Sequence, residues 1–271
     1  MRLEVAVMWL LLLFGCDPYR KLARSKSLSD RDSAAFGYFR KKQYESASQL
    51  MEELVGLYRG NIRAAEVLYH LALARMYMKD LYAAERYFGQ LVEEYPLSPR
   101  APEALFMQAK MNYDLSADYD FDQKETKRAI DKLQVYLTLY PAGRHAEEAE
   151  KMLAELERKL EVKAFQTAET YYRIGRYRAA VVLYGDFLTY ATQPDLREEA
   201  AYKRAAAAFL MAEQSVQEKQ LPRFSEAEAF YHIFAKDYPN SRYLPFLRAQ
   251  YEHTQRVLQV PRRAASSAAG D

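Results

Sequence analysis

Apolar residues recur along most of the chain at the spacing of one face of an α-helix, and the same local pattern returns five times. Each copy is centred on a small alanine: Ala47, Ala84, Ala129, Ala180 and Ala227. In the second, third and fifth copies an aromatic residue or leucine follows after four positions and a proline after twelve. A small alanine lets two helices cross closely, and proline cannot continue a helix. The pattern predicts helix pairs joined by turns.

This pattern resembles the tetratricopeptide (TPR) repeat, most clearly in the fourth copy, which keeps the relative spacing of Ala168, Tyr171, Gly175, Tyr177, Ala180 and Tyr184. The alanine-to-alanine intervals of 37, 45, 51 and 47 residues exceed the usual unit of about 34. We assign the residues in excess of the usual repeat length to inserts at 115–125 and 214–222 and to a long helix over about 144–174. The expected fold class is all-α, a tetratricopeptide-type superhelical array of about five helix pairs, with a C-terminal capping helix over about 243–258.

The first residues have a different character. An apolar run over residues 5–14 is followed directly by Gly15-Cys16, so that the segment reads Leu13-Phe14-Gly15-Cys16. The run is too short to span a bilayer, which takes about twenty residues. It fits a secretory signal peptide, and its end resembles the bacterial lipobox, in which the cysteine carries the lipid. We therefore predict a signal peptide over 1–15, lipidation of Cys16, a flexible tether over 16–30, and no cofactor except the covalent lipid.

The remaining chain is predicted to divide into two parts and a tail. Residues 31–142 hold repeats one to three, and residues 143–260 hold the long linking helix, repeats four and five and the capping helix. Residues 261–271, rich in small residues, are predicted to be a disordered tail.

Composition excludes several classes of function. With 39 Lys and Arg against 37 Asp and Glu, the net charge is +2, without the basic excess of nucleic-acid-binding proteins. One cysteine and four histidines allow neither an internal disulfide nor an ordinary structural zinc site. The acidic segment from Asp118 to Asp122 resembles half of a calcium loop, but Gln123 and Ala129 occupy the positions that need glycine and glutamate. We expect neither a metal site nor catalysis, since no catalytic motif is present.

The 23 tyrosines need an explanation, and most fall on repeat positions that pack between helices, namely Tyr58, Tyr95, Tyr140, Tyr184, Tyr231 and Tyr238. Other aromatic residues fall on the inward face of first helices, which lines a concave groove in TPR proteins. These candidates for a peptide-binding groove are Phe36, Phe39, Arg40, Tyr69, Leu73 and Tyr77, with Phe165, Tyr172 and Arg173 in the fourth repeat. Rigid aromatics beside arginine suit an extended peptide with aromatic and carboxylate ends. For each residue, packing in the core or a cap is the alternative.

The lipobox, the tether and the five repeats, three of which end in Tyr-Pro, together resemble the BamD (ComL/YfiO) family, lipoproteins of the outer-membrane β-barrel assembly (BAM) machine. The more specific parts are LVEEYPLSPRA at 91–101, LYPAGRHA at 139–146, AETYYRIGRYRAA at 168–180 and the YDFDQ insert at 119–123. The resemblance implies a lipid-anchored protein on the periplasmic side of the cell outer membrane. It further implies that the C-terminal repeats bind BamA, the barrel-forming subunit, and that the N-terminal repeats bind the C-terminal targeting strand of unfolded outer-membrane proteins.

The resemblance assigns the BamA interface by region only, because Tyr184 and Thr189 stand where basic residues are expected. Two alternatives remain open at this stage. One is another lipidated TPR scaffold of the cell envelope, serving pilus secretin assembly or cell-wall coordination. The other is a helical periplasmic enzyme or sugar-binding lipoprotein, for which the sequence offers no paired carboxylates beyond those expected at helix starts.

Overall fold

The structure is a computed structural model that describes residues 19–268, with side chains described as far as residue 256. The predicted signal peptide and Cys16 lie outside the described residues. Within them the chain forms helices α1 (Arg20–Ala23), α2 (Leu28–Arg40), α3 (Tyr44–Leu57), α4 (Arg63–Tyr77), α5 (Leu81–Glu94), α6 (Ala101–Leu115), α7 (Lys124–Leu139), α8 (Ala146–Arg173), α9 (Tyr177–Tyr190), α10 (Pro194–Glu213), α11 (Gln217–Asp237) and α12 (Leu244–Ala268).

The predicted fold class is confirmed: α2 to α11 form five consecutive helix pairs of TPR type, and α12 follows them. All five repeat alanines are fully buried where the second helix of a pair crosses its neighbour: Ala47, Ala84, Ala129, Ala180 and Ala227. At such a crossing a larger side chain would hold the helices apart.

The helices form two compact units. The N-terminal unit comprises the described residues up to 117 together with 123–156, and the C-terminal unit comprises 118–122 and the described residues from 157 onward. The predicted boundary between 142 and 143 falls between α7 and α8, whereas the compact units divide within α8, whose first part belongs to the N-terminal unit. There Ala149, Met152 and Leu156 are buried in one cluster with Phe106 and Tyr136.

The predicted tether over 16–30 is wrong for its described part. Residues 20–23 are helical and α2 begins at Leu28, where the Ser27 hydroxyl accepts a hydrogen bond from the Asp30 backbone N–H. The Tyr19 ring packs edge-on against Tyr38, at 5.4 Å between centroids, and lies so close to Gly37 that a Cβ there has no room. Apolar contacts therefore hold this segment to the N-terminal unit. The sequence did not indicate this, because the segment is rich in basic residues.

The inserts and the C-terminus also differ in part from the predictions. The connection between α6 and α7 matches the predicted insert at 115–125, and Lys163 donates hydrogen bonds of 2.8 Å to two of its backbone carbonyls, those of Tyr119 and Phe121. The insert at 214–222 is largely helical, since α11 begins at Gln217 and includes Pro222. Helix α12 continues to Ala268, so the tail predicted from 261 is wrong as far as that residue, where alanine favours helix.

The two units are packed with different side chains. The core of the N-terminal unit holds buried leucines together with Met51 and Phe88. The C-terminal unit instead buries four consecutive alanines, 205–208, together with Phe209 on α10. Four consecutive buried residues span all sides of a helix, so α10 is enclosed by its neighbours.

In the described part of the chain, every helix is too short or too polar to cross a membrane.

Candidate functional site

Aromatic side chains from α2, α3 and α4 meet on one surface of the N-terminal unit. Phe36 and Phe39, three residues apart on α2, both make edge contacts with the ring of His70 on α4, at 4.8 and 5.1 Å between centroids. Tyr77, two turns further along α4, stacks at 4.8 Å on Tyr44 from α3. Residues three, four and seven apart share a helix face, which is why these rings converge. We call Phe36, Phe39, Tyr44, His70 and Tyr77 the aromatic face.

The aromatic face is open to solvent to different degrees. Tyr77 is 51% exposed, and Phe36, Phe39 and Leu73 are half-buried against the core. Tyr69 is almost fully buried and packs edge-on against Phe88, at 5.9 Å between centroids. The structure thus places the predicted residues Phe36, Phe39 and Tyr77 together at an accessible surface, and Tyr69 behind it. Their role in binding stays a prediction.

Two arginines lie over rings at this surface, and both are already paired with carboxylates. Arg63 lies 4.6 Å above the ring of Phe36 and forms an ion pair of 2.6 Å with Asp32. Arg100 lies 4.6 Å above the ring of Tyr69 and donates two hydrogen bonds of 2.9 Å to Glu66.

The paired carboxylates hold these charges in place. The hydrogen bonds from Arg100 hold the pKa of Glu66 below its usual value, and the hydrogen bond to Asp32 raises the pKa of Arg63. The charge of each guanidinium is therefore compensated by the carboxylate that it contacts.

Arg40 differs from these two arginines. It is the last residue of α2, directly after Phe39, and its side chain is exposed. Among the residues that the structure describes, its side chain forms neither a hydrogen bond nor an ion pair. An arginine in this state offers a planar fork of donors to an incoming carboxylate.

His70 at the centre of the aromatic face is held as a neutral ring. Its Nδ1 donates to the backbone carbonyl of Glu66 at 2.9 Å, and burial lowers its pKa. The face is thus uncharged at its centre near neutral pH, while Arg40 supplies a positive charge at the end of α2.

Sequence reasoning missed Tyr44, His70, Arg63 and Arg100. A signal was present in the spacing, because Arg63 and Arg100 follow their carboxylate partners by 31 and 34 residues, about one repeat. Charges one repeat apart belong to neighbouring first helices, so such pairs can be sought directly in a TPR sequence.

The three groove candidates of the fourth repeat do not form a second site of this kind. Phe165 is buried in the core of the C-terminal unit, 5.8 Å from the ring of Tyr184, so its assignment to a groove is wrong. Burial raises the pKa of Tyr172 to about 12, while Arg173 is exposed. The residue spacing that brings rings to the surface in α2 and α4 leads into the core here.

The acidic segment from Asp118 to Asp122 lies in the connection between α6 and α7. Over the described residues, no group of three or more His, Cys, Asp or Glu side chains is arranged to hold a metal ion.

Comparison with known proteins identifies one family. The sequence model of the family described as YfiO, outer membrane lipoprotein, matches residues 32–221, well over half of the chain. A comparison with curated proteins gives no significant match.

Among solved structures, a TPR-repeat protein from Bacteroides fragilis matches with 14% identity and a TM-score of 0.43, covering 85% of this chain and 100% of that one. The TPR domain of P58(IPK) matches with 15% identity and a TM-score of 0.42, covering 86% of this chain and 66% of that one.

Proposed function

The chain belongs to the YfiO family of outer membrane lipoproteins, and on that premise we propose that it is a non-catalytic scaffold of outer-membrane β-barrel assembly. In this proposal the N-terminal unit receives the C-terminal segment of unfolded outer-membrane proteins. The C-terminal repeats bind a BamA-like barrel subunit. The lipid on Cys16 holds the protein on the periplasmic face of the outer membrane.

The observation that supports client binding most strongly is the aromatic face together with Arg40. A client segment ending in an aromatic residue offers a ring and a terminal carboxylate. The ring can pack among Phe36, Phe39 and Tyr77, where aromatic pairs contribute about 0.5–1.5 kcal/mol beyond their buried area. Because the arginines over the neighbouring rings are paired, the carboxylate is expected to select Arg40.

The partner of the C-terminal repeats is assigned by region. Tyr184 is fully buried and its hydroxyl donates to Glu169 at 2.7 Å, so it presents no charge to a partner. Thr189 is exposed, but its hydroxyl donates to the Asp186 carbonyl at 2.7 Å. A barrel subunit would therefore bind this protein through other residues than the basic ones expected from the family.

The proposed anchor is the covalent lipid of Cys16. Each buried methylene adds about 0.8 kcal/mol, and two or more acyl chains hold a protein stably on a membrane. We expect Cys16→Ala to release the protein from the outer-membrane fraction into a soluble periplasmic or precursor form. Complete retention in the membrane fraction would contradict the anchor.

The proposed complex is tested by affinity purification from detergent-solubilised outer membrane, read by mass spectrometry. The expected result is enrichment of a barrel-forming subunit with periplasmic domains, which a variant lacking the C-terminal repeats loses. Enrichment of a secretin or of cell-wall enzymes in its place would favour the alternative, another lipidated TPR scaffold of the envelope.

A further inference from the structure

A depression in the C-terminal unit has a volume of about 760 Å³. It lies where α8 turns into α9 and where α10 turns into α11, so it is bounded by the ends of four helices of one unit. Its walls are mostly apolar and include Tyr171, Val182 and Met211. This volume is in the range of pockets that hold a small molecule or one or two bulky side chains.

Three arginines line the depression, namely Arg176, Arg178 and Arg223, and its lining contains no carboxylate. Arg176 and Arg178 are exposed, and their side chains form no ion pair or hydrogen bond within the described part of the chain. Arg223 donates to the hydroxyl of Ser215, which leaves its positive charge uncompensated. The first turn of α9, which enters the lining, also contains no acidic residue.

The neighbouring depression shares Arg178, Val182, Met211 and Arg223 with the first one and adds Lys219 and Glu226. The two are therefore one continuous surface, which we call the arginine pocket, with four cationic side chains and a single carboxylate. Such an excess of one sign raises the local concentration of oppositely charged partners and favours anionic ligands.

Exposed apolar side chains occur in the pocket wall and in the segments that supply its lining. Val182 in the wall is 56% exposed. Ile174, Val216 and Leu221, each within two residues of a lining residue, are between 55% and 62% exposed. Exposed apolar side chains rimmed by charge are typical of a protein-binding surface.

We propose that the arginine pocket docks an acidic peptide segment of a partner protein, with one aromatic or aliphatic side chain inserted between flanking carboxylates. The inserted side chain packs against Tyr171, Val182 and Met211. The carboxylates pair with Arg176 and Arg178, whose guanidinium forks match carboxylate geometry. The charge complementarity and the apolar floor together specify this occupant.

The inference does not depend on which partner the proposed function names, because its test uses a synthetic peptide. The probe is a fluorescein-labelled peptide in which glutamates flank one phenylalanine, and binding to the full purified chain is followed by fluorescence anisotropy. We expect the double variant Arg176→Gln and Arg178→Gln to weaken binding by about tenfold or more, as for lost charge-assisted hydrogen bonds. Arg248→Gln, an exposed arginine on α12 of the same unit, is the matched control and should bind as the wild type does.

Two peptide changes separate the parts of the proposal. Lysine in place of glutamate should abolish binding, and alanine in place of phenylalanine should weaken it in the wild type. Val182→Asp, a change at an exposed position that should not disturb folding, should weaken the glutamate peptide as well. Equal binding of the acidic peptide by wild type and double variant would overturn the proposal.

Vesicles separate a lipid surface from a peptide as the occupant. Binding of anionic phosphatidylglycerol vesicles that depends on both arginines, without binding of the peptide, would also overturn the proposal. The affinity purification described above can fail while the peptide binds, and it can succeed while the peptide does not bind. A failure of the proposed function is therefore distinguishable from a failure of this inference.

Discussion

The two units share one architecture but differ in how the arginines at their candidate binding surfaces are paired. In the N-terminal unit, ion pairs link the first helices of successive repeats, as in Arg63–Asp32, Arg100–Glu66 and Lys110–Glu148. In the C-terminal unit Lys203–Glu169 makes such a link, but the side chains of Arg176 and Arg178 are exposed and form no ion pair with a described residue.

The difference determines what each surface can bind. A guanidinium that already forms two hydrogen bonds to a carboxylate has little to gain from a new anion, whereas a solvated one retains all its donors. The aromatic face, with the unpaired Arg40 directly after Phe39 at the end of α2, therefore suits a segment with a ring and one terminal carboxylate. The arginine pocket suits a segment with several carboxylates.

The first prediction asks whether the two units are energetically separate. Phe88 in the N-terminal unit and Phe209 in the C-terminal unit are both fully buried, so each change to alanine should cost about 3–5 kcal/mol. Hydrogen exchange should rise mainly in residues up to 117 for Phe88→Ala and mainly from 157 onward for Phe209→Ala. The same rise in both units for either variant would contradict the division.

The alanine-rich packing of the C-terminal unit gives the second prediction. Ala180→Phe should overpack the crossing of α9 and cost about 1–3 kcal/mol, lowering the thermal midpoint. Ala154→Phe, at an exposed position of α8, is the control and should change it little. An unchanged midpoint for Ala180→Phe would refute the repeat register.

The third prediction concerns a variant in which an arginine of the N-terminal unit loses its carboxylate partner, as the arginines of the arginine pocket have none. Glu66→Gln removes the charge that compensates Arg100, so Arg100 becomes a second site for a carboxylate. A peptide with a free C-terminal carboxylate and an aromatic end should then bind severalfold more tightly, as measured by calorimetry. Glu93→Gln, an exposed residue of α5, should leave the affinity unchanged. Weaker binding by Glu66→Gln would show that the pair itself supports the site.

The smallest effect concerns pH. Burial lowers the pKa of His70 in the folded state, so the unfolded state takes up its proton first as the pH falls through about 6.5. The stabilisation associated with neutral His70 is thus present above that pH and is lost as the pH falls toward the folded pKa.

The urea concentration at the unfolding midpoint should therefore decrease as the pH is lowered from about 7.5 to about 5.5. The decrease should be smaller in His70→Gln. His253→Gln, at an exposed position, should behave as the wild type does. If His70→Gln shows the same pH dependence as the wild type, His70 is not the group responsible.

The repeat alanines were the features most readily predicted from the sequence, because a buried crossing needs a small residue at a fixed interval. The aromatic face was predicted in part, since Phe36, Phe39 and Tyr77 follow helical spacing. The paired arginines depend on contacts between repeats, and the ordered segment around Tyr19 depends on a glycine, Gly37, one helix away. The prediction that Phe165 lines a groove was wrong because helical spacing alone does not distinguish a groove from a core.

The central claim is that an unpaired Arg40 beside the aromatic face receives a client's terminal carboxylate. Calorimetry with one aromatic-ended peptide, as free acid and as C-terminal amide, against wild type and Arg40→Ala tests it directly. The account predicts that amidation weakens binding to the wild type by about tenfold or more, the size of a hydrogen bond to a charged group, and matters little in Arg40→Ala. Equal binding of the acid and the amide by the wild type would contradict it.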